Sequence, residues 1–226
     1  MPIRLPAYLE VAPKRTFASA IEWPGWSRSG KTEEEALDAL AAAGPRYVRA
    51  LGDLAAGLEP PADASGFEVV EHVEGGSGTD FGVPSRSPGG DDRPVEPAEH
   101  ERLAGILRAA WATFDSAAVA ARGHGLTTGP RGGGRDLAKM TSHVIDADWS
   151  YLKEIGGKYQ APRGESEAEN RDAIRDLIVE ALAARIRGEP PPASKRMRPL
   201  WTPRYLVRRS AWHALDHAWE LEDRVI

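Results

Sequence analysis

The chain has 226 residues, 41% hydrophobic and 28% charged, an ordinary balance for a globular protein with room for one large domain or two small ones. Its formal net charge of −5 excludes a general affinity for nucleic-acid phosphates, and without cysteine it can form neither a disulfide nor a thiolate metal ligand. No apolar run approaches the roughly 20 residues that a membrane span requires, and the start lacks the apolar core of a signal peptide, so no membrane partner and a cytoplasmic location are expected.

Residues 5–22 read as two short extended runs broken by the turn Pro13-Lys14-Arg15. A helix then starts at Thr32-x-x-Glu35, a capping box, and Ala36, Leu37, Leu40, Ala41 and Tyr47 carry its apolar period past Gly44-Pro45. A third extended run at 67–73 completes a β-β-α-β module over residues 1–74. Within it, Gly25 to Thr32 (GWSRSGKT) fits the phosphate-cradling pattern G-x-x-x-x-G-K-[ST]. Such a loop follows a buried apolar strand, whereas here Glu22-Trp23-Pro24 precedes it and three glutamates follow at once. The match is read as a coincidence within a capped turn. Over residues 8–58, the strand ending near Pro24-Gly25, the short Gly30-Lys31-Thr32 turn and the acidic helix start TEEEAL resemble HicB-like antitoxin domains. That resemblance implies a module that recognises a partner; no DNA-binding segment accompanies it.

Residues 75–97 are dense in Gly, Pro, Ser and Asp and carry no period, so they read as a linker between two domains. From residue 98 onward the pattern is helical. Segments 98–122, 135–156, 167–188 and 203–225 each carry an apolar stripe: Leu103, Ile106, Leu107, Trp111 and Phe114 in the first; Leu137, Met140, Val144, Tyr151 and Ile155 in the second. Four such helices joined by one long connection predict a four-helix bundle at 98–226. The fold class is therefore α+β, and because each half has its own apolar pattern, 97–226 is expected to fold alone.

The chemistry concentrates in the last helix. RRSAWHALDHAWELEDR (208–224) carries His213 and His217 four residues apart, one above the other on a helical face at roughly 6 Å between Cβ atoms. The ordinary reading of such a pair is one histidine in the core and one in solvent. His143, at the edge of the second helix's apolar stripe, supplies a third imidazole, and bundles build metal sites from side chains on facing helices. Three protein ligands with further positions open define a catalytic rather than a structural site. Glu220 and Asp216 are candidates to orient a ligand from behind. The pattern is not H-E-x-x-H, since Ala214 follows His213, so a zinc-protease base is missing.

A histidine on the second helix (TSHVIDAD) and H-x-x-x-H on the fourth (AWHALDHAWE) make residues 97–226 resemble the DinB-like superfamily of four-helix metalloproteins. The resemblance implies one divalent ion on His143, His213 and His217, with zinc, nickel and iron all suited to imidazole. It also implies metal-dependent thiol S-transferase or maleylpyruvate-isomerase-like activity with a low-molecular-weight thiol such as mycothiol, bacillithiol or glutathione. The electrophile would then lie over the glycine-rich segment 129–134 or near Arg135, and the N-terminal module would act as a lid or as the contact of a homodimer. The alternative is a binding or regulatory protein whose HicB-like module recognises a partner while the metal is structural. His72, His100 and His124 read as surface residues, and Trp149, Trp201, Trp212 and Trp219 as core or interface packing.

Overall fold

The short apolar runs on either side of Pro13-Lys14-Arg15 become a hairpin, β1 (Leu5–Val11) and β2 (Thr16–Ala20), in which Ala7 faces Ala20 and Leu9 faces Ala18. In this computed structural model, which describes residues 4–129, 134–162, 164, 166–191 and 198–226, a third strand follows at β3 (Ser27–Gly30). Helix α1 (Glu33–Leu51) then crosses over to β4 (Phe67–Glu74), which pairs with β1 in parallel. The sheet order is β3-β2-β1-β4.

The module is thus β-β-β-α-β rather than β-β-α-β. The strand missing from the sequence reading is the centre of the GWSRSGKT stretch, whose Ser27–Gly30 pair with β2 as an edge strand. Its last two residues start α1: the Thr32 hydroxyl accepts from Glu35 N at 3.1 Å, while the Glu35 carboxylate accepts from Lys31 N at 2.8 Å rather than from the N-cap itself. Only one half of a reciprocal capping box therefore forms. Trp26, fully buried, stacks on Tyr47 at 5.3 Å and donates to Leu40 O at 2.8 Å. Gly44 is demanded by this packing, because a Cβ there would stand 2.4 Å from Pro60 Cβ.

Residues 75–97, expected as a linker, are tied down along their length. They contain a short helix α2 (Ser77–Phe81) and a 3-10 turn at Gly89–Asp92. Glu10 of β1, fully buried, accepts hydrogen bonds from the Thr79 hydroxyl at 2.5 Å, from Ser85 N and Oγ at 3.0 Å and from Arg86 N at 3.1 Å. These donors satisfy a carboxylate that would otherwise be costly to bury. At the other end of the strap, buried Asp91 forms a two-pronged pair with Arg208 at 2.8 and 2.9 Å.

The four long helices expected from the apolar period form at α3 (Pro97–Ala120), α4 (Leu137–Glu154), α5 (Glu167–Ile186) and α6 (Pro203–Arg224). Their shared core contains Leu107 and Phe114, Met140 and Leu152, Ile178 and Leu182, and Leu206 and Leu215, all fully buried. α6 is covered on its outer side as well. Trp212 meets Phe17 of β2 edge-on at 6.0 Å, and Arg208 donates to Ala20 O at 3.1 Å. A Cβ on Gly25, whose φ is +92°, would stand 2.8 Å from Ala211 Cβ, so the turn before β3 lies directly on α6. One apolar core runs through both halves. Among the described residues, no helix is long and apolar enough to cross a membrane.

Candidate metal centre

The spacing of four residues on α6 places the His213 and His217 rings 4.6 Å apart, and His143 on α4 approaches them with ring centroids at 5.1 and 5.0 Å. His143 Nε2 faces His213 Nε2 at 3.2 Å, and one nitrogen from each ring falls within 4.8 Å of the other two. Nitrogens sharing an ion at about 2.0–2.1 Å lie roughly 3–3.5 Å apart. The first pair already has that spacing, and the widest separation requires only a modest movement of rings. His213 and His217 are buried, and His143 is half-buried.

The electrostatics favour neutral imidazoles. Burial lowers the pKa of His143 to about 4, with smaller contributions from neighbouring His217 and the Arg135 guanidinium. Burial holds His213 well below its usual value, helped by His217 and Arg209. Both nitrogen lone pairs are therefore free near neutral pH, as metal ligation requires. Two facing Nε2 atoms cannot both donate, and a cation between them satisfies both. The donor set fits a divalent ion.

Behind the triad, the Glu220 carboxylate lies 3.1 Å from His217 Nδ1 and 2.8 Å from Arg224 Nη1. The hydrogen bond to His217 is the main cause that lowers the Glu220 pKa, and Arg224 adds to it. With Nδ1–H donated to Glu220, His217 presents Nε2 to the other rings, the carboxylate–histidine arrangement that fixes a ligand's tautomer. Asp216 does not share this role. It turns away to Arg28 of β3, at 2.9 Å. Arg224 went unnoticed in the sequence, although its position four residues after Glu220 is the signal of a helical ion pair.

No protein-family model, no curated protein and no solved structure matches the chain. His217, Asp216, Trp219 and Glu220 open onto a cleft of about 830 Å³ between the two halves of the molecule. Arg135, just before α4, and Lys139, in its first turn, line it on one side, Arg28 from β3, and Ala39, Ala42, Ala43 and Arg46 from α1. Arg28 lies over the Trp219 ring at 4.2 Å. The N-terminal module, expected from the sequence as a lid or a dimer contact, builds one wall of this cleft, though which of its residues do so was not legible there. Of the glycine-rich stretch 129–134, Gly129 and Gly134 line the cleft, and residues 130–133 lie outside the described residues.

The remaining candidates stand apart from the triad. His124 is exposed, and His72 is largely exposed with Nε2 at 3.3 Å from Glu33. His100 is half-buried, with Nε2 shielded from solvent and without a hydrogen bond among the described residues, which corrects its reading as a surface residue. Trp212 and Trp219 are core residues, and Trp201 is half-buried against Tyr151. Trp149 is 40% exposed, so it is not a core residue.

Proposed function

We propose that this chain binds one divalent ion through His143, His213 and His217 and uses it to activate a low-molecular-weight thiol for transfer to an electrophile, as a DinB-like thiol S-transferase. The observation that carries the reading is the convergence of three imidazole nitrogens within 4.8 Å at the edge of a large cleft. A bound divalent ion would supply Lewis acidity, lowering a thiol's pKa and favouring the thiolate nucleophile. The chain's own residues prepare the place. Glu220, steadied by Arg224, fixes the His217 tautomer. Burial keeps His143 and His213 unprotonated. Three neutral ligands leave an anionic position to be filled, and with no cysteine in the sequence the sulfur would come from outside. The lower wall formed by α1 gives the N-terminal module a role in enclosing substrate, which favours the enzyme reading over that of a separate partner-recognition module.

The test is metal analysis followed by cobalt substitution. Protein purified without chelators should hold one divalent ion per chain, and His213→Ala, His217→Ala and His143→Ala should each lose it while His124→Ala keeps it. Adding mycothiol, bacillithiol or glutathione to the cobalt protein should produce a thiolate charge-transfer band. A protein with stoichiometric metal that gives no spectral change with any of the three thiols would instead be a structural metalloprotein.

A further inference from the structure

Among the described residues, the charges lining the cleft beside the triad pair off with one exception. Arg28 bonds Asp216 at 2.9 Å, Arg46 bonds Glu222 at 2.6 Å and Asp223 at 3.0 Å, and Lys139 bonds Asp136 at 2.9 Å. Glu220 is held by His217 and Arg224. Arg135 differs. Its backbone carbonyl accepts from Arg224 Nη2 at 3.0 Å, which anchors its main chain beside α6. Its guanidinium has no hydrogen-bond or ion-pair partner among the described residues, yet it lines the same cleft as His217. A guanidinium carries five donors in a planar fork that matches a carboxylate with two parallel hydrogen bonds.

From this arrangement we infer a carboxylate-binding site in the cleft, centred on Arg135, that anchors the far end of a small molecule whose reactive end reaches the triad. Arg28 supports it from the N-terminal module: among the described residues it bonds Asp216 through Nη1, and its stacking on Trp219 holds the rest of the guanidinium at the cleft wall. The surrounding charge selects a singly charged group over a phosphate. Asp216, Glu220 and Asp223 are already paired with Arg28, Arg224 and Arg46, so the cleft offers one unpaired guanidinium, enough to balance a single negative charge and not two. The methyl faces of Ala39, Ala42 and Ala43 offer no competing donor along the opposite wall. This inference rests on the proposed function and deepens it by giving its substrate a chemical class, a thiol that carries a carboxylate.

The experiment titrates cobalt-loaded protein with glutathione, glutathione diethyl ester and S-methylglutathione, reading heat and visible spectrum together. Glutathione should bind roughly tenfold or more tightly than its diester, as expected for a charge-assisted two-pronged contact. That preference should shrink with salt, disappear in Arg135→Ala and return in part in Arg135→Lys. S-methylglutathione should keep the dependence on Arg135 without a thiolate band. Because the anchoring bond at this position is made by the Arg135 main-chain carbonyl, and its guanidinium has no hydrogen-bond or ion-pair partner among the described residues, the variant should melt like the parent. Equal binding of acid and ester, equal binding by Arg135→Ala, or no binding of any of the three overturns the site. If the thiolate band appears while acid and ester bind equally, the thiol reading survives alone. If binding is carboxylate- and Arg135-dependent but the spectrum never moves, the site stands and the transferase reading fails.

Discussion

A cluster of three imidazoles in an enclosed place resists protons, and this resistance has a measurable consequence in the metal-free protein. His143 is lowered to about 4 and His213 well below 6.5, so both bind protons more readily in the unfolded chain than in the folded one. Their contribution to stability is then present above about pH 6.5 and is lost as pH falls toward 4. Asp148 works against this. Burial raises its pKa to about 6 despite the hydrogen bond from Arg175, so its penalty lessens over the same acidic range. Two histidines against one aspartate leave a net loss on acidification. Urea midpoints of chelator-treated protein should fall between pH 6.5 and 4, and His143→Gln should flatten that fall; a flat profile in the parent would contradict the neutral-triad picture. Glu220 makes a second prediction at this scale. Glu220→Gln removes the charge behind His217 but keeps its shape, and metal affinity should drop by roughly 10–100-fold, as for other groups that hold a ligand from behind. Competition with a fluorescent zinc chelator measures it, and unchanged affinity would mean that Glu220 does not orient His217.

At the level of elements, the strap over 75–97 is fastened to α6 through a buried charge pair. Asp91 and Arg208 form a pair in which both side chains are almost wholly buried. Removing one partner strands a charge, so Asp91→Ala should destabilise by about 3–5 kcal/mol in denaturant unfolding. Replacing both, Asp91→Ala with Arg208→Met, should restore much of that loss, and a double variant as weak as the single one would refute the stranded-charge account. The same strap shows where the sequence was silent. Its order comes from hydrogen bonds to Glu10, 75 residues away from Ser85, and no local period can encode such contacts. β3 escaped for a related reason: Ser27-Arg28-Ser29-Gly30 has no apolar alternation, and its strand form is imposed by pairing with β2. The long helices were legible because their apolar residues recur every three or four positions. The triad was legible because two of its members sit one turn apart on α6 and the third lies on another strongly periodic helix. Of the cleft, the side near Gly129, Gly134 and Arg135 was named from the sequence, whereas Arg28 of β3 and Arg46 of α1 were not, since only the tertiary fold brings them to it.

For the whole molecule, the question is whether the helical half can stand alone, as the polar, Gly/Pro-rich composition of 75–97 suggests. The packing argues otherwise. α6 is the central element of both halves: its inner face joins α3 and α4, and its outer face receives Phe17 on Trp212, Gly25 on Ala211 and Arg28 on Trp219. Trp212 and Trp219 are only 4% and 3% exposed in the full chain. Cutting at residue 97 would uncover both indoles along one helix and strip Arg208 of Asp91 and of Ala20 O together. Each indole carries a large apolar surface, so uncovering two and stranding a buried charge consumes much of the roughly 5–15 kcal/mol by which a domain is stable. A 97–226 fragment should therefore keep helical far-ultraviolet signal but lose its near-ultraviolet tryptophan signal, bind a hydrophobic dye and melt without cooperativity, the marks of a molten state. It should also retain metal poorly, because α6 would no longer hold His213 and His217 in register with His143. The full chain should melt in one transition by both signals. A fragment that melts cooperatively within a few degrees of the full chain and binds a full equivalent of metal would show that the N-terminal module is a separable wall rather than part of the core.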